Sequence, residues 1–164
     1  MKIGVLALQG AFAEHINALS QLGIETIPIS LPSQLDSIDG LIIPGGESTT
    51  IGKLMIQYRL TEPIRKLASR GVPIFGTCAG MILLAKKVIG LNLETLSLMD
   101  IEVKRNAFGR QRESFEADLT IPVLGDKSFR GIFIRAPLVE ETGHNVEVLS
   151  RLDNNTIVAV KQGK

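Results

Sequence analysis

A single cysteine, Cys78, lies in the segment GTCAG at residues 76–80, between an apolar run at residues 72–75 and a helix-like run at residues 79–87. This pattern is typical of a nucleophile elbow, a sharp turn from strand to helix. Its flanking glycines are needed because a Cβ there would collide with neighbouring backbone. The N–H groups at the start of the following helix would favour the thiolate over the thiol. The alternative is a small buried apolar residue, but the elbow context predicts a nucleophile.

A cysteine that attacks a carbonyl group needs N–H donors for the oxyanion that develops. The segment PGGEST at residues 44–49 can supply them from Gly45 and Gly46, and the N–H of Ala79, directly after the cysteine, is a third candidate. The alternative interpretation is a simple turn into a helix, with Ser48 or Thr49 as the N-cap.

The elements that position these residues follow from the hydrophobic pattern. Apolar runs KIGVLAL, IETIPIS, GLIIPGG and VPIF predict four strands. Helices are predicted between them: one that carries His15 and stops at Gly23, a second over TEPIRKLASRG with Thr61 as N-cap, and a third over AGMILLAKK. Strands and helices that alternate in this way indicate a parallel α/β sheet, in which ligands bind beyond the carboxyl ends of the strands.

The second half of the sequence has a different pattern. From about Leu98, the segments SFEADLTIPV, FRGIFIRAP, NVEVLS and TIVAVK predict short strands separated by polar turns. We therefore expect antiparallel pieces there, within one domain that spans residues 1–164.

Composition excludes several classes of protein. The 18 basic and 17 acidic residues nearly balance, there is no Trp and only one Tyr, so a nucleic-acid surface is not indicated. One cysteine can form neither an internal disulfide nor a thiolate metal cluster, and no metal or cofactor site is predicted. No apolar run reaches the roughly 18 residues of a membrane span, and the N-terminus does not resemble a signal peptide. We expect a cytoplasmic protein.

Several motifs resemble one family closely. The segments GVLALQG, LIIPGGESTT, GTCAG, RNAFGRQ, SFEADL and FIRAP occur in the order and approximate spacing seen in class I (triad) glutamine amidotransferases that serve as the glutaminase subunit of two-component pyridoxal 5'-phosphate synthases. The resemblance covers essentially the whole chain. It implies a flavodoxin-like α/β sandwich that hydrolyses L-glutamine and passes ammonia to a separate, barrel-shaped synthase subunit.

The resemblance also implies roles for individual residues. Cys78 would form the γ-glutamyl thioester, and the oxyanion and glutamine-binding strip would be carried by Gly45 and the segment GES. The implied substrate contacts are Gly46, Glu47 and Ser48 of that segment, together with Arg105, Ile134 and Arg135. The guanidinium group of Arg105 is suited to a carboxylate. The implied synthase-facing residues are Gln9 and Gly10. Without the resemblance, each arginine would be interpreted as a solvated surface charge.

One departure from the family concerns the base. Family members carry a segment HPE after the last strand, whose histidine is the general base and whose glutamate orients it. This chain ends at VAVKQGK without that segment. We interpret it as lacking its C-terminal segment and expect the 164 residues alone to be inactive. His15 is expected to be a surface or interface residue, and His144 a solvated loop residue.

Two other interpretations stay open. The chain could be a cysteine-elbow α/β protein of different specificity, which would not bind glutamine in a thermal-shift assay. It could also be a non-catalytic binding subunit, which would explain the missing histidine.

Overall fold

The computed structural model describes residues 1–105 and 114–163. They divide into two compact units, one made of Met1–Leu84 with Leu93–Leu98 and the other of Ala85–Asn92 with Met99–Lys164. Every residue of the predicted oxyanion strip and nucleophile turn lies in the first unit.

The first unit contains a four-stranded parallel sheet in the order β2-β1-β3-β4. Its strands are mostly apolar because both faces of a parallel sheet are normally covered by helices. The strands are β1 (Lys2–Leu6), β2 (Glu25–Ile29), β3 (Gly40–Ile43) and β4 (Ile74–Gly76), and the helices are α1 (Phe12–Gln21), α2 (Ser48–Gln57), α3 (Thr61–Ser69) and α4 (Ala79–Leu84), with a 3-10 turn at Pro32–Ser37.

The core of this unit combines side chains from the strands and the helices. Burial of these aliphatic groups is the main stabilising contribution, at roughly 1.5–3 kcal/mol for each large side chain. The side chains that are at most 1% exposed include Val5, Leu6, Ile29, Leu41, Ile43, Ile51, Leu60, Ile64, Leu67 and Leu83.

Two details of the predicted helices were wrong. Thr61 is not the N-cap of α3, because the cap is Leu60, and the buried Thr61 Oγ1 makes no hydrogen bond within the described residues. The helix predicted over AGMILLAKK ends at Leu84, where the chain continues directly into strand β5 (Ala85–Ile89). That segment contains no glycine or proline near Leu84 to signal the change.

The second unit is strand-rich, as the sequence predicts. A five-stranded mixed sheet has the order β10-β11-β9-β6-β5, and β7 and β8 form a separate antiparallel hairpin. The hairpin is held by the stacked rings of Phe115 and Phe133, whose centroids lie 4.8 Å apart. The remaining strands are β6 (Met99–Lys104), β7 (Ser114–Leu119), β8 (Phe129–Ile134), β9 (Leu138–Thr142), β10 (Val146–Arg151) and β11 (Ile157–Gln162).

Strands β6 and β9 were not predicted from the sequence. In β6 the buried Ile101 and Val103 alternate with the charged Glu102 and Lys104, and this period-two pattern is a strand signal. The first unit nevertheless has the predicted parallel α/β sheet, and the predicted antiparallel strands of the second half are present. Within the described residues, no helix is long and apolar enough to span a bilayer.

Candidate active site

The nucleophile turn and the glycine strip leave the same edge of the parallel sheet. Strands β3 and β4 are adjacent, with Ile43 opposite Gly76, and the N–H of Thr77 donates to the carbonyl oxygen of Ile43 over 3.1 Å. A Cβ added to Gly45 would lie 3.4 Å from Cys78 Cβ. The structure therefore brings Gly45 and Cys78 into contact distance, as expected for parallel strands whose carboxyl ends meet.

Cys78 occupies a sharp left-handed turn. Its φ is 50°, a conformation that is unfavourable for a residue with a side chain and is found mostly where function or packing requires it. The two flanking glycines are required by close approach, because a Cβ on Gly80 would lie 2.1 Å from the carbonyl oxygen of Ile43 and one on Gly76 would lie 2.6 Å from the carbonyl carbon of Gly80. The predicted reason for the glycines is confirmed.

The residue after the cysteine begins α4. Ala79 is 1% exposed, and the N–H of Gly80 donates to the carbonyl oxygen of Thr77 over 2.8 Å. The helix is only six residues long. Its first N–H groups lie in the turn that carries the thiol, which is the arrangement an elbow requires.

The glycine strip is held by the segment after β1. Gln9 Oε1 accepts a hydrogen bond from the N–H of Glu47 over 2.8 Å, and the N–H of Ala11 donates to the carbonyl oxygen of Gly45 over 2.9 Å. A Cβ on Gly10, whose φ is 100°, would lie 2.0 Å from that same oxygen. Gln9 and Gly10 therefore contact the strip directly, in addition to any role toward a partner.

Glu47 is the N-cap of α2. Its carboxylate accepts hydrogen bonds from the N–H groups of Thr49 and Thr50, at 3.2 and 2.7 Å, and from both threonine hydroxyls. These bonds, led by the Thr49 hydroxyl, lower the pKa of Glu47 to about 2, although partial burial opposes the shift. The alternative that Ser48 or Thr49 caps this helix is wrong. Ser48 is buried, and its Oγ makes no hydrogen bond within the described residues.

His15, expected to be a surface or interface residue, is of intermediate exposure. It lies half-buried on α1, and its Nε2 is 3.2 Å from Thr77 Oγ1, so it contacts the residue directly before the candidate nucleophile. Burial lowers the pKa of His15, and the charge of Glu14 opposes that shift. The two partners are 62 residues apart in the sequence, and no local pattern in either segment signals the contact.

The other candidate residues lie in the second unit. Arg105 directly follows β6, Ile134 is the last residue of β8, and the exposed Arg135 follows it with φ of 47°. His144 is exposed in the turn between β9 and β10. The rest of the motif RNAFGRQ, residues 106–111, lies outside the described residues. The roles of these residues toward a substrate stay predictions.

No metal site is evident in the part of the chain that the structure describes, since no three His, Cys, Asp or Glu side chains are grouped so that they could hold an ion.

Comparisons with known proteins point to one family. Residues 5–164 match the model of the SNO glutamine amidotransferase family. Two similar relatives are named pyridoxal 5'-phosphate synthase subunit PdxT. The protein from Pelotomaculum thermopropionicum is 57% identical over 164 residues, which is 100% of this chain and 83% of the relative. The protein from Moorella thermoacetica is 56% identical over 163 residues, which is 99% of this chain and 86% of the relative.

A solved structure agrees with these relatives. A crystal structure of a glutamine amidotransferase superposes with a TM-score of 0.92 at 49% identity and covers 99% of this chain and 85% of that one.

Proposed function

The chain belongs to the SNO glutamine amidotransferase family, and from this we propose that it is the glutaminase subunit of a pyridoxal 5'-phosphate synthase. It hydrolyses L-glutamine to L-glutamate and ammonia, and the ammonia supplies a synthase partner in vitamin B6 biosynthesis. The observation that carries the proposal is the position of Cys78 in a left-handed turn beside Gly45, where an added Cβ would lie 3.4 Å from Cys78 Cβ.

The reaction uses Cys78 as the nucleophile. Its thiolate attacks the side-chain carbonyl carbon of glutamine, which forms a C–S bond and an oxyanion. Backbone N–H groups of Gly45, Gly46 and Ala79 are the proposed donors to that oxyanion, since rigid donors stabilise developing charge without reorganising. The C–N bond then breaks as the nitrogen takes a proton from a general acid and leaves as ammonia. Water next attacks the thioester carbonyl carbon and gives up a proton to the conjugate base of that acid, and the C–S bond breaks to release glutamate and the Cys78 thiolate.

Substrate binding is proposed for two groups of residues. Gly46, Glu47 and Ser48 follow β3 at the sheet edge that carries Cys78, and this placement supports their role as the strip along which glutamine lies. Arg105 and the pair Ile134–Arg135 are further proposed substrate contacts. A guanidinium group suits the α-carboxylate of glutamine because it can donate two parallel hydrogen bonds.

The synthase partner would gate the reaction. Glu47 N–H is bonded to Gln9 Oε1 and the Gly45 carbonyl oxygen to Ala11 N–H, so the orientation of the strip depends on the residues that follow β1. A peptide next to glycine can reorient at little steric cost. We propose that a barrel-shaped synthase docks near Gln9 and Gly10 in the cytoplasm and sets the strip for catalysis.

Ammonia release tests the proposal when it is measured for wild type and Cys78→Ala, each as the complete polypeptide with and without the synthase subunit. We expect rapid release only from wild type with synthase, much slower release from wild type alone, and background release from Cys78→Ala. Substitution of a catalytic nucleophile commonly removes most of the rate enhancement.

A matched control separates chemistry from folding. Cys78→Ala should retain the wild-type unfolding temperature within a few degrees and still form the complex with the synthase. Near-wild-type turnover in Cys78→Ala would refute the nucleophile, and equal rates with and without synthase would refute the gating.

A further inference from the structure

His15 is a half-buried titratable side chain that the mechanism above does not use. Its Nε2 lies 3.2 Å from Thr77 Oγ1, which is within hydrogen-bond distance, and the atom that donates depends on the imidazole tautomer. Thr77 is bonded covalently to Cys78, so this contact ends one residue from the nucleophile.

The contact with His15 restrains the side chain of Thr77. The hydrogen bonds of Thr77 to β3 and α4 restrain its backbone. The backbone of Thr77 is held at both ends. Its N–H donates to the carbonyl oxygen of Ile43 over 3.1 Å, and its carbonyl oxygen accepts from the N–H of Gly80 over 2.8 Å. The side chain is not held by those bonds. A Cβ added to Gly45 would lie 4.0 Å from Thr77 Oγ1, so the hydroxyl is also close to the glycine strip.

The imidazole acts here as a neutral group. Burial lowers the pKa of His15, against an opposing effect from the neighbouring Glu14 carboxylate. A neutral ring brings no charge toward the thiolate, so its effect on the turn is through the geometry of the hydrogen bond.

Helix α1 and its N-cap residue Ala11 together contact both halves of the site. Ala11 N–H, just before the helix, holds the Gly45 carbonyl oxygen over 2.9 Å, and His15, one turn further along, holds the Thr77 hydroxyl. A strained conformation such as that of Cys78 persists only where its surroundings over-determine it.

We propose that His15 is a positioning residue for the glutaminase reaction, which through the Thr77 hydroxyl fixes the turn that presents Cys78 to the substrate. This inference rests on the proposed function. It gives α1, beside the paired strands β3 and β4, a part in setting the distance between the nucleophile and the oxyanion strip.

The test is a double-mutant cycle on ammonia release by the complex with synthase. His15→Phe keeps a ring without the hydrogen bond, and Thr77→Val keeps the shape of the side chain without the hydroxyl. We expect each to lower kcat about fivefold to tenfold, the effect of one hydrogen bond, with KM for glutamine near the wild-type value. The double variant should be no slower than either single variant, because both changes remove the same interaction.

Rescue and control variants complete the design. His15→Gln and Thr77→Ser retain hydrogen-bonding groups and should recover most of kcat. Asn17→Ala, on an exposed position of α1, should match wild type. Alkylation of Cys78 by iodoacetamide is a second readout that needs no glutamine turnover, and its rate should fall in His15→Phe and Thr77→Val but not in the rescue variants.

The outcomes separate the two proposals. A wild-type complex that releases no ammonia contradicts the proposed function, while the alkylation rates still test His15. An active wild type with unchanged kcat in His15→Phe, or a double variant whose loss is the product of the two single losses, overturns the inference.

Discussion

Cys78 and the glycines around it are governed by backbone geometry, and this is why they could be predicted. A left-handed turn with Ile43 backbone within 3.0 Å of an added Cβ admits only glycine at residue 80, so the chemistry of the site appears in the sequence as a local pattern. The His15–Thr77 bond has no such local signature. It depends on how α1 packs, so the sequence predicts only a surface or interface position for His15.

The capping carboxylate of Glu47 makes the stability of the fold depend on pH. Its folded pKa of about 2 is below the ordinary value of 4.5, so the ionised carboxylate stabilises the fold above pH 4.5, and this stabilisation is lost as pH falls toward 2. We expect Glu47→Gln to lower the free energy of unfolding at pH 7 by about 0.5–1 kcal/mol, the usual effect of an exposed helix cap.

Urea unfolding of wild type and Glu47→Gln from pH 7 down to pH 2 measures this difference directly. The gap between the two proteins should narrow below about pH 4.5. A gap that stays constant over the whole range would show that the charge of Glu47 contributes nothing to capping α2.

At the scale of elements, strand ends and helix starts position the site. The four parallel strands were predicted because each is a nearly continuous apolar run. The switch from α4 to β5 was not, since the run LLAKKV is compatible with either structure and only its pairing with β6 decides in favour of a strand. The contacts of the segment before α1 with the glycine strip could not be predicted either, because they depend on tertiary packing and not on a local sequence pattern.

Two glycines with positive φ test that packing. Gly23, with φ of 70°, has no atom within 4 Å of an added Cβ, whereas at Gly10, with φ of 100°, the Cβ would lie 2.0 Å from the Gly45 carbonyl oxygen. We expect Gly23→Ala to cost about 1–2 kcal/mol of conformational strain and to leave kcat unchanged. Gly10→Ala should cost more and also lower kcat, because the strip must shift.

Thermal unfolding measures the stability of the two variants, and ammonia release measures their kcat. Equal destabilisation by both substitutions, with wild-type kcat in Gly10→Ala, would mean that the contact between residue 10 and Gly45 does not position the strip.

At the scale of the whole molecule, the candidate residues are divided between two compact units. The nucleophile, the strip and His15 are in the first, and Arg105, Ile134 and Arg135 are in the second. The α/β class and the strand-rich second half followed from the hydrophobic pattern. The assignment of residues 1–164 to a single domain stays a prediction. The substrate-binding roles of Arg105, Ile134 and Arg135 stay part of the proposal.

Mass spectrometry of the acid-quenched complex during the first turnover shows whether Cys78 carries the acyl group of glutamine. Because Cys78 is the only cysteine of the chain, a thioester can form at one residue. We expect a transient adduct on the peptide that contains Cys78, with the mass of glutamine less ammonia, which appears with glutamine and decays as glutamate forms. Ammonia release during that turnover from an unmodified Cys78, or an adduct on any other residue, would contradict this expectation.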